Sequence, residues 1–199
     1  MLPMSKFIKP CFQQRTIKLA FLYPGKDDPF INRLVAKVSK NPVCHVELVF
    51  ENDMSFSIFQ GSTLFFKQRT FSNPEYKLMA LNVSNAEYVA AYSFCEQAVK
   101  ENLQFTDVGM VGACIQPQNC PMCCFRPSES TGQTFCSKIV TEALQFAALP
   151  EVQGLHPCTT TPSILFDAIS ASKRSVCDTN SYRRQLLYDP QVVFVNRLT

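Results

Sequence analysis

The chain has 199 residues, 46% of them hydrophobic and 18% charged, with a formal charge of +3. That is enough chain to bury one sizeable core, and its nineteen basic residues are scattered rather than gathered into the stripe that binds nucleic acid. No apolar run approaches the ~18 residues of a membrane span, and MLPMSKFIKPCFQQR at the start lacks the apolar segment of a secretory signal.

Residues 1–15 read as an arm, and 16–199 as one domain. Thr16–Tyr23 (TIKLAFLY) alternates as a strand does, and PGKDDP after it is a turn-rich loop. Phe30–Ser39 places Phe30, Ile31, Leu34, Val35 and Val38 at helical spacing. Val43–Phe50 is a strand. Glu51–Met54 breaks the pattern and Ser55–Gln60 alternates again, which together make a hairpin. Leu64–Lys67 and Tyr76–Val83 read as two more strands. Ser84–Asn102 is a helix whose Ser84 and Glu87 have capping-box spacing. Gln104–Gly132 reads as irregular. Phe135–Leu149 is the strongest helix, stopped by Pro150. Thr159–Pro162 precedes a helix over Ser163–Ser170, and Val192–Arg197 reads as a closing strand. The order gives an α+β domain with a central antiparallel sheet.

The strand CHVELVF holds one of only two histidines in the chain. His45 and Glu47 are two apart, so they share a face of the strand. With Asn52 and Asp53 centring the turn, paired residue numbers sum to 105, and Gln60 faces His45 with Cβ atoms about 4.5–5.5 Å apart. The Gln60 amide oxygen could then fix the imidazole tautomer and free the other nitrogen as a base. Glu47, roughly 6.5 Å away along the backbone, is the alternative orienting group. A register slip of one residue would remove Gln60.

Cys136, in TFCSKIV, follows the polar segment Ser128–Thr134 and opens an apolar helix. Free N–H groups and the macrodipole at a helix start favour a thiolate, and Lys138 adds a local positive charge. Most free cysteines are small buried hydrophobes; the first-turn position separates Cys136 from the other nine. A helix-start thiol, a sheet histidine and an orienting amide or carboxylate together define a cysteine nucleophile site.

The order of these segments resembles the circularly permuted NlpC/P60 families of the papain-like superfamily. These include YiiX-like bacterial proteins, related poxvirus proteins and, more distantly, lecithin:retinol acyltransferase-like proteins. The segments that carry the resemblance are CHVELVF around His45, SIFQG around Gln60, FTDVG at Phe105–Gly109, FCSKIVTEAL around Cys136 and TTPSILFDAI at Thr160–Ile169, spread over roughly residues 16–170. The resemblance implies a permuted papain-like fold, with a central antiparallel sheet packed by the cysteine-bearing helix and flanking helices. It also implies a Cys136 nucleophile and a His45 base. Many relatives place an acid on the second strand, where this chain has Gln60, and a glutamate where it has Lys138. An amide can orient imidazole but cannot stabilise imidazolium by charge.

The resulting expectation is a thiol hydrolase, cysteine peptidase-like enzyme or acyltransferase that acts on a peptide, isopeptide or acyl substrate without a cofactor. The alternative is a catalytically inactive papain-like binding or scaffold protein, for instance in a virion. A third reading is a zinc-stabilised interaction module. Cys114, Cys120, Cys123 and Cys124 lie within eleven residues, and Cys120-x-x-Cys123 has zinc-ligand spacing, with His156 or Cys158 as further candidates. Ten cysteines in a chain of this length without a visible signal are expected to be reduced thiols. The expected place is therefore the cytoplasm, or the host cytoplasm or virion for a virus-encoded chain. Oligomeric state is left open.

Overall fold

The structure is a computed structural model that describes residues 14–25, 28, 30–38, 41–71, 75–115 and 132–177. Its frame is an antiparallel sheet of six strands: β1 (Gln14–Leu22), β2 (His45–Val49), β3 (Met54–Ser57), β4 (Phe65–Gln68), β5 (Tyr76–Ser84) and β8 (Ser175–Cys177), in spatial order β4-β3-β2-β1-β5-β8. A second, parallel pair joins β6 (Gln104–Phe105) to β7 (Gln133–Thr134). The helices are α1 (Phe30–Val38), α2 (Asn85–Lys100), α3 (Asp107–Ile115), α4 (Cys136–Phe146) and α5 (Pro162–Ser170). No helix among the described residues is long and apolar enough to cross a membrane.

Residues paired across neighbouring strands share a face. Leu48, Leu19 and Met79 form one such row, and Val46 pairs with Phe21. These residues are buried with Val140 and Leu144 of α4, Ala91 and Cys95 of α2 and Leu165 of α5 in the main core. The opposite face of β2 and β3 carries His45, Glu47, Ser55 and Ser57, all buried. Polar groups buried in such numbers must find partners, and this face holds the candidate site.

Local chemistry accounts for most element boundaries. Ser84 caps α2: its hydroxyl accepts from Glu87 N–H while the Glu87 carboxylate accepts from Ser84 N–H. Thr161 caps α5, with Pro162 in the first helical position, where a missing N–H costs nothing.

Four expectations are corrected. Gln14 and Arg15, expected in the arm, belong to β1. Arg15 is held there by Glu51, Nε to Oε1 at 2.7 Å, and by the Tyr88 ring 4.0 Å away. The stretch after Gln104 is not irregular throughout, since it contains β6 and α3. The sheet gains β8, in a segment where no element was expected; the expected closing strand Val192–Arg197 lies outside the described residues.

The fourth correction is the hairpin register. Leu48 pairs with Phe56 and Val49 with Ser55, a sum of 104 rather than 105. The turn is the three residues Glu51–Asp53, closed by Phe50 N–H donating to Met54 O at 2.8 Å. Asn52 and Asp53 both take positive φ, 60° and 56°, which short polar side chains tolerate better than most residues. The register therefore brings Phe59, not Gln60, opposite His45.

Candidate active site

Cys136 is the first residue of α4. The chain leading to it is pinned on one side: Gln104 N–H donates to Gly132 O at 2.7 Å and Thr106 N–H to Thr134 O at 2.9 Å. Phe105 and Thr134 are partners in the parallel pair. Helix α3 then packs closely on Phe135. A Cβ on Gly109 would lie 2.6 Å from Thr106 Cγ2 and 3.2 Å from the Phe135 ring, so glycine is what this approach requires. No side chain caps the start of α4, which leaves its first-turn N–H groups for an incoming anionic oxygen.

Cys136 and His45 both line one cleft of about 200 Å³, together with Leu22, Cys44, Phe59 and Met110. Both are buried, at 1% and 6% exposure. The His45 ring stacks on Phe59, centroids 4.6 Å apart and planes 22° off parallel. Its Nε2 is 3.6 Å from Glu47 Oε1, too long for a hydrogen bond but close enough for a strong charge interaction between buried groups. With Nε2 turned to Glu47, Nδ1 is the nitrogen left to exchange a proton with a thiol.

Glu47 is fully buried and its two oxygens are divided among several donors. Oε2 accepts from the Ser55 hydroxyl at 2.6 Å and faces Arg69 Nε at 3.3 Å. Oε1 accepts from the Tyr76 hydroxyl at 3.0 Å. The sheet sets this up: Leu22 pairs with both His45 and Tyr76, while Glu47 pairs with Ala20, whose small side chain leaves room between Tyr76 and the carboxylate.

These surroundings set the protonation states. Burial by itself would lower the His45 pKa, but charge and hydrogen bonding from Cys136, then the nearby Glu47 carboxylate, outweigh it and raise the value to about 9. Burial would raise the Glu47 pKa; His45, Ser55 and Arg69 together bring it below the ordinary carboxylate value. Both shifts favour a charged pair of imidazolium and carboxylate. Burial, with charge from Glu47, pushes the Tyr76 phenol up, so it stays a hydrogen-bond donor. Burial and the neighbouring Cys136 push the Cys44 thiol up to about 12; Cys44 Sγ donates to Leu22 O at 3.5 Å.

The structure brings Cys136, His45 and Glu47 together and sets Gln60 apart from the His45–Glu47 contact. Gln60 is exposed at the rim of the same cleft, and its Nε2 donates to Asp107 Oδ1 at 2.7 Å. Lys138 is not a free charge beside the thiol: its Nζ lies 3.8 Å from Glu142 Oε1, one helical turn on. Of the zinc candidates, Cys114 sits half-buried in α3, while Cys120, Cys123 and Cys124 lie outside the described residues. His156 is exposed, and its carbonyl accepts from the Thr159 and Thr160 hydroxyls. Among the described residues no group of three or more histidine, cysteine or acidic side chains is placed to hold a metal ion.

Sequence reasoning missed Ser55, Phe59, Arg69 and Tyr76. Ser55 and Phe59 follow from the register once it is known. Arg69 and Tyr76 are two and three strands along the chain from His45, and no local pattern points to them. No family model, curated protein or solved structure matches the chain.

Proposed function

We propose that the chain is a thiol hydrolase or acyltransferase of the permuted papain-like type, acting on amide, isopeptide or ester carbonyls. The observation that carries this reading is the line Cys136–His45–Glu47: a helix-start thiol in a cleft, an imidazole against it, and a buried carboxylate on the imidazole's far nitrogen. The chain order, with the histidine strand before the cysteine helix, supports the permuted arrangement. The scaffold alternative drew on an amide in the third position. Glu47 supplies a carboxylate there, and that favours chemistry over binding alone.

In this mechanism His45 Nδ1 takes the Cys136 proton and the sulfur adds to the substrate carbonyl. First-turn N–H groups of α4 stabilise the oxyanion. Imidazolium returns the proton to the departing amine or alcohol, leaving an acyl group on Cys136. Water, activated by His45, then releases the acid and restores the thiol; an amine or alcohol in its place gives transfer. Glu47 orients the ring and stabilises its charged form.

The test is to incubate the chain with a panel of peptide, isopeptide and activated ester substrates and to search for an acyl adduct on Cys136 by mass spectrometry. The expected adduct is absent in Cys136→Ala and grows much more slowly in His45→Ala. An adduct that forms equally well without His45 would refute the mechanism.

A further inference from the structure

We infer that Arg69 is a positioning residue for the reaction proposed above: its guanidinium, held by Phe59, Phe65 and Phe71, keeps Glu47 as the carboxylate that orients and stabilises the His45 imidazolium. This rests on the thiol-enzyme reading and assigns a role to a residue outside the catalytic line.

The geometry is that of a clamp. Arg69 Nε lies 3.3 Å from Glu47 Oε2. Arg69 Cζ is 4.8 Å from the centroid of Phe59, 5.6 Å from that of Phe65 and 5.7 Å from that of Phe71. Guanidinium is planar and weakly hydrated, so aromatic faces suit it better than they suit an ammonium. Phe59 is shared: it stacks on His45 and on Phe65, centroids 5.3 Å apart. One ring therefore sets the position of both the base and the cation. Of the three phenylalanines in FFKQRTF, Phe65 and Phe71 face the cation, while Phe66 packs on Phe50 and Tyr92.

The electrostatics explain why a cation is needed. Glu47 has no exposure, and the Arg69 side chain is 24% exposed. A carboxylate this deep is costly unless charge compensates it. The titratable and charged groups that face Glu47 are His45 on its own strand, Tyr76 from β5 and Arg69 beyond β4; Ser55 on β3 is neutral. Those facing His45 are Cys136 from α4 and Glu47, with Cys44 beside Cys136 and neutral over the working range. His45 gives up its charge each time it passes a proton to the leaving group, and is neutral when it takes one from water. Arg69 is the cation that stays against Glu47 through those steps, among the described residues. Without it, Glu47 can take up a proton, and a neutral acid no longer stabilises imidazolium.

The experiment reads the pH dependence of Cys136 alkylation by iodoacetamide in the full chain, by peptide mass spectrometry. Wild type is compared with Arg69→Met, Arg69→Lys, Phe71→Leu, Glu47→Gln and the Arg69→Met/Glu47→Gln double variant. The acidic limb is expected to rise by about one pH unit in Arg69→Met, in the same direction as in Glu47→Gln. Arg69→Lys, which keeps a cation, should reverse most of that rise. The double variant should behave as Glu47→Gln alone, since both changes act through one carboxylate. Phe71→Leu loosens the clamp and gives a smaller shift of the same sign, readable even where Arg69→Met does not fold; because Phe71 also packs on Tyr76, centroids 5.2 Å apart, it is compared with Tyr76→Phe, which removes the Tyr76 hydroxyl and leaves the clamp. Limbs unmoved in Arg69→Met and Phe71→Leu, with Glu47→Gln shifted, would overturn the role of Arg69 and leave the Cys136–His45 pair standing. A wild-type limb that does not change in His45→Ala would overturn both.

Discussion

Glu47 Oε1 lies 3.6 Å from His45 Nε2, and the two residues are neighbours on one face of β2. A single strand thus carries both the base and the group that orients it. The arrangement is economical, because the pleat alone fixes their spacing. Its requirement is that a carboxylate be buried, and Ser55, Tyr76 and Arg69 meet that requirement from three other segments of the chain.

Glu47→Gln keeps the shape of the side chain and removes its charge. Turnover, or labelling of Cys136 at neutral pH, should fall roughly tenfold for each pKa unit by which imidazolium is destabilised. Unchanged kinetics in a folded Glu47→Gln protein would show that the carboxylate is a spectator.

Gln60→Ala should change Cys136 reactivity by no more than about twofold, the size of an ordinary surface substitution. Gln60 spends its amide on Asp107, not on His45. A loss comparable to that of Glu47→Gln would mean that Gln60 moves onto the ring during catalysis.

The fold of the strand and helix segments was largely legible, because hydrophobic period and caps are local. Thr16–Tyr23, Tyr76–Val83 and the Ser84 capping box fall close to β1, β5 and the α2 cap. Helix α3 was not legible: DVGMVGACI carries two glycines, and tertiary packing on Phe135 overrides their weak helix propensity. Cys136 could be placed because a polar segment followed by an apolar helix marks a helix start. The hairpin register could not, since it turned on whether Asn52 and Asp53 adopt left-handed backbone angles, and one residue of slip exchanged Gln60 for Phe59. Glu47 was visible as an alternative, but the hydroxyls and guanidinium that make its burial tolerable come from distant segments.

Gly109→Ala tests the packing beneath the nucleophile. The added methyl would press on Thr106 and the Phe135 ring, at a cost of about 1–3 kcal/mol, and would displace the residue that immediately precedes Cys136. Lower thermal stability together with slower Cys136 alkylation is expected. Full stability would show that α3 is free to shift.

The His45 interactions should also appear in folding. Its pKa is raised from 6.5 to about 9, so the stability it contributes is fully present below about pH 6.5 and is lost as pH rises through about 9. Urea midpoints should fall over that interval in wild type and fall less in His45→Gln. Parallel curves would contradict the raised value.

Away from the site, Arg174 joins three elements. It donates to Glu151 in the turn after α4, Nε to Oε1 at 2.8 Å, and to Glu87 in the α2 cap at 3.0 Å. The Arg174 hydrogen bond, together with one from Ser172, holds the Glu151 pKa at about 2. That stability is present above the ordinary value of 4.5 and is lost as pH falls toward about 2. Arg174→Ala should cost ~1–2 kcal/mol at neutral pH and flatten the acid limb of the stability profile. An acid limb identical to wild type would rule out this contribution.

The most direct measurement is the alkylation of Cys136 by iodoacetamide as a function of pH, in wild type and His45→Ala. A reactive Cys–His pair alkylates well below pH ~8.5, where an ordinary cysteine titrates, and His45→Ala should abolish that low-pH reactivity while the fold remains intact. A Cys136 that reacts no earlier than an ordinary thiol, or that reacts alike with and without His45, would contradict the thiol-enzyme reading at its centre.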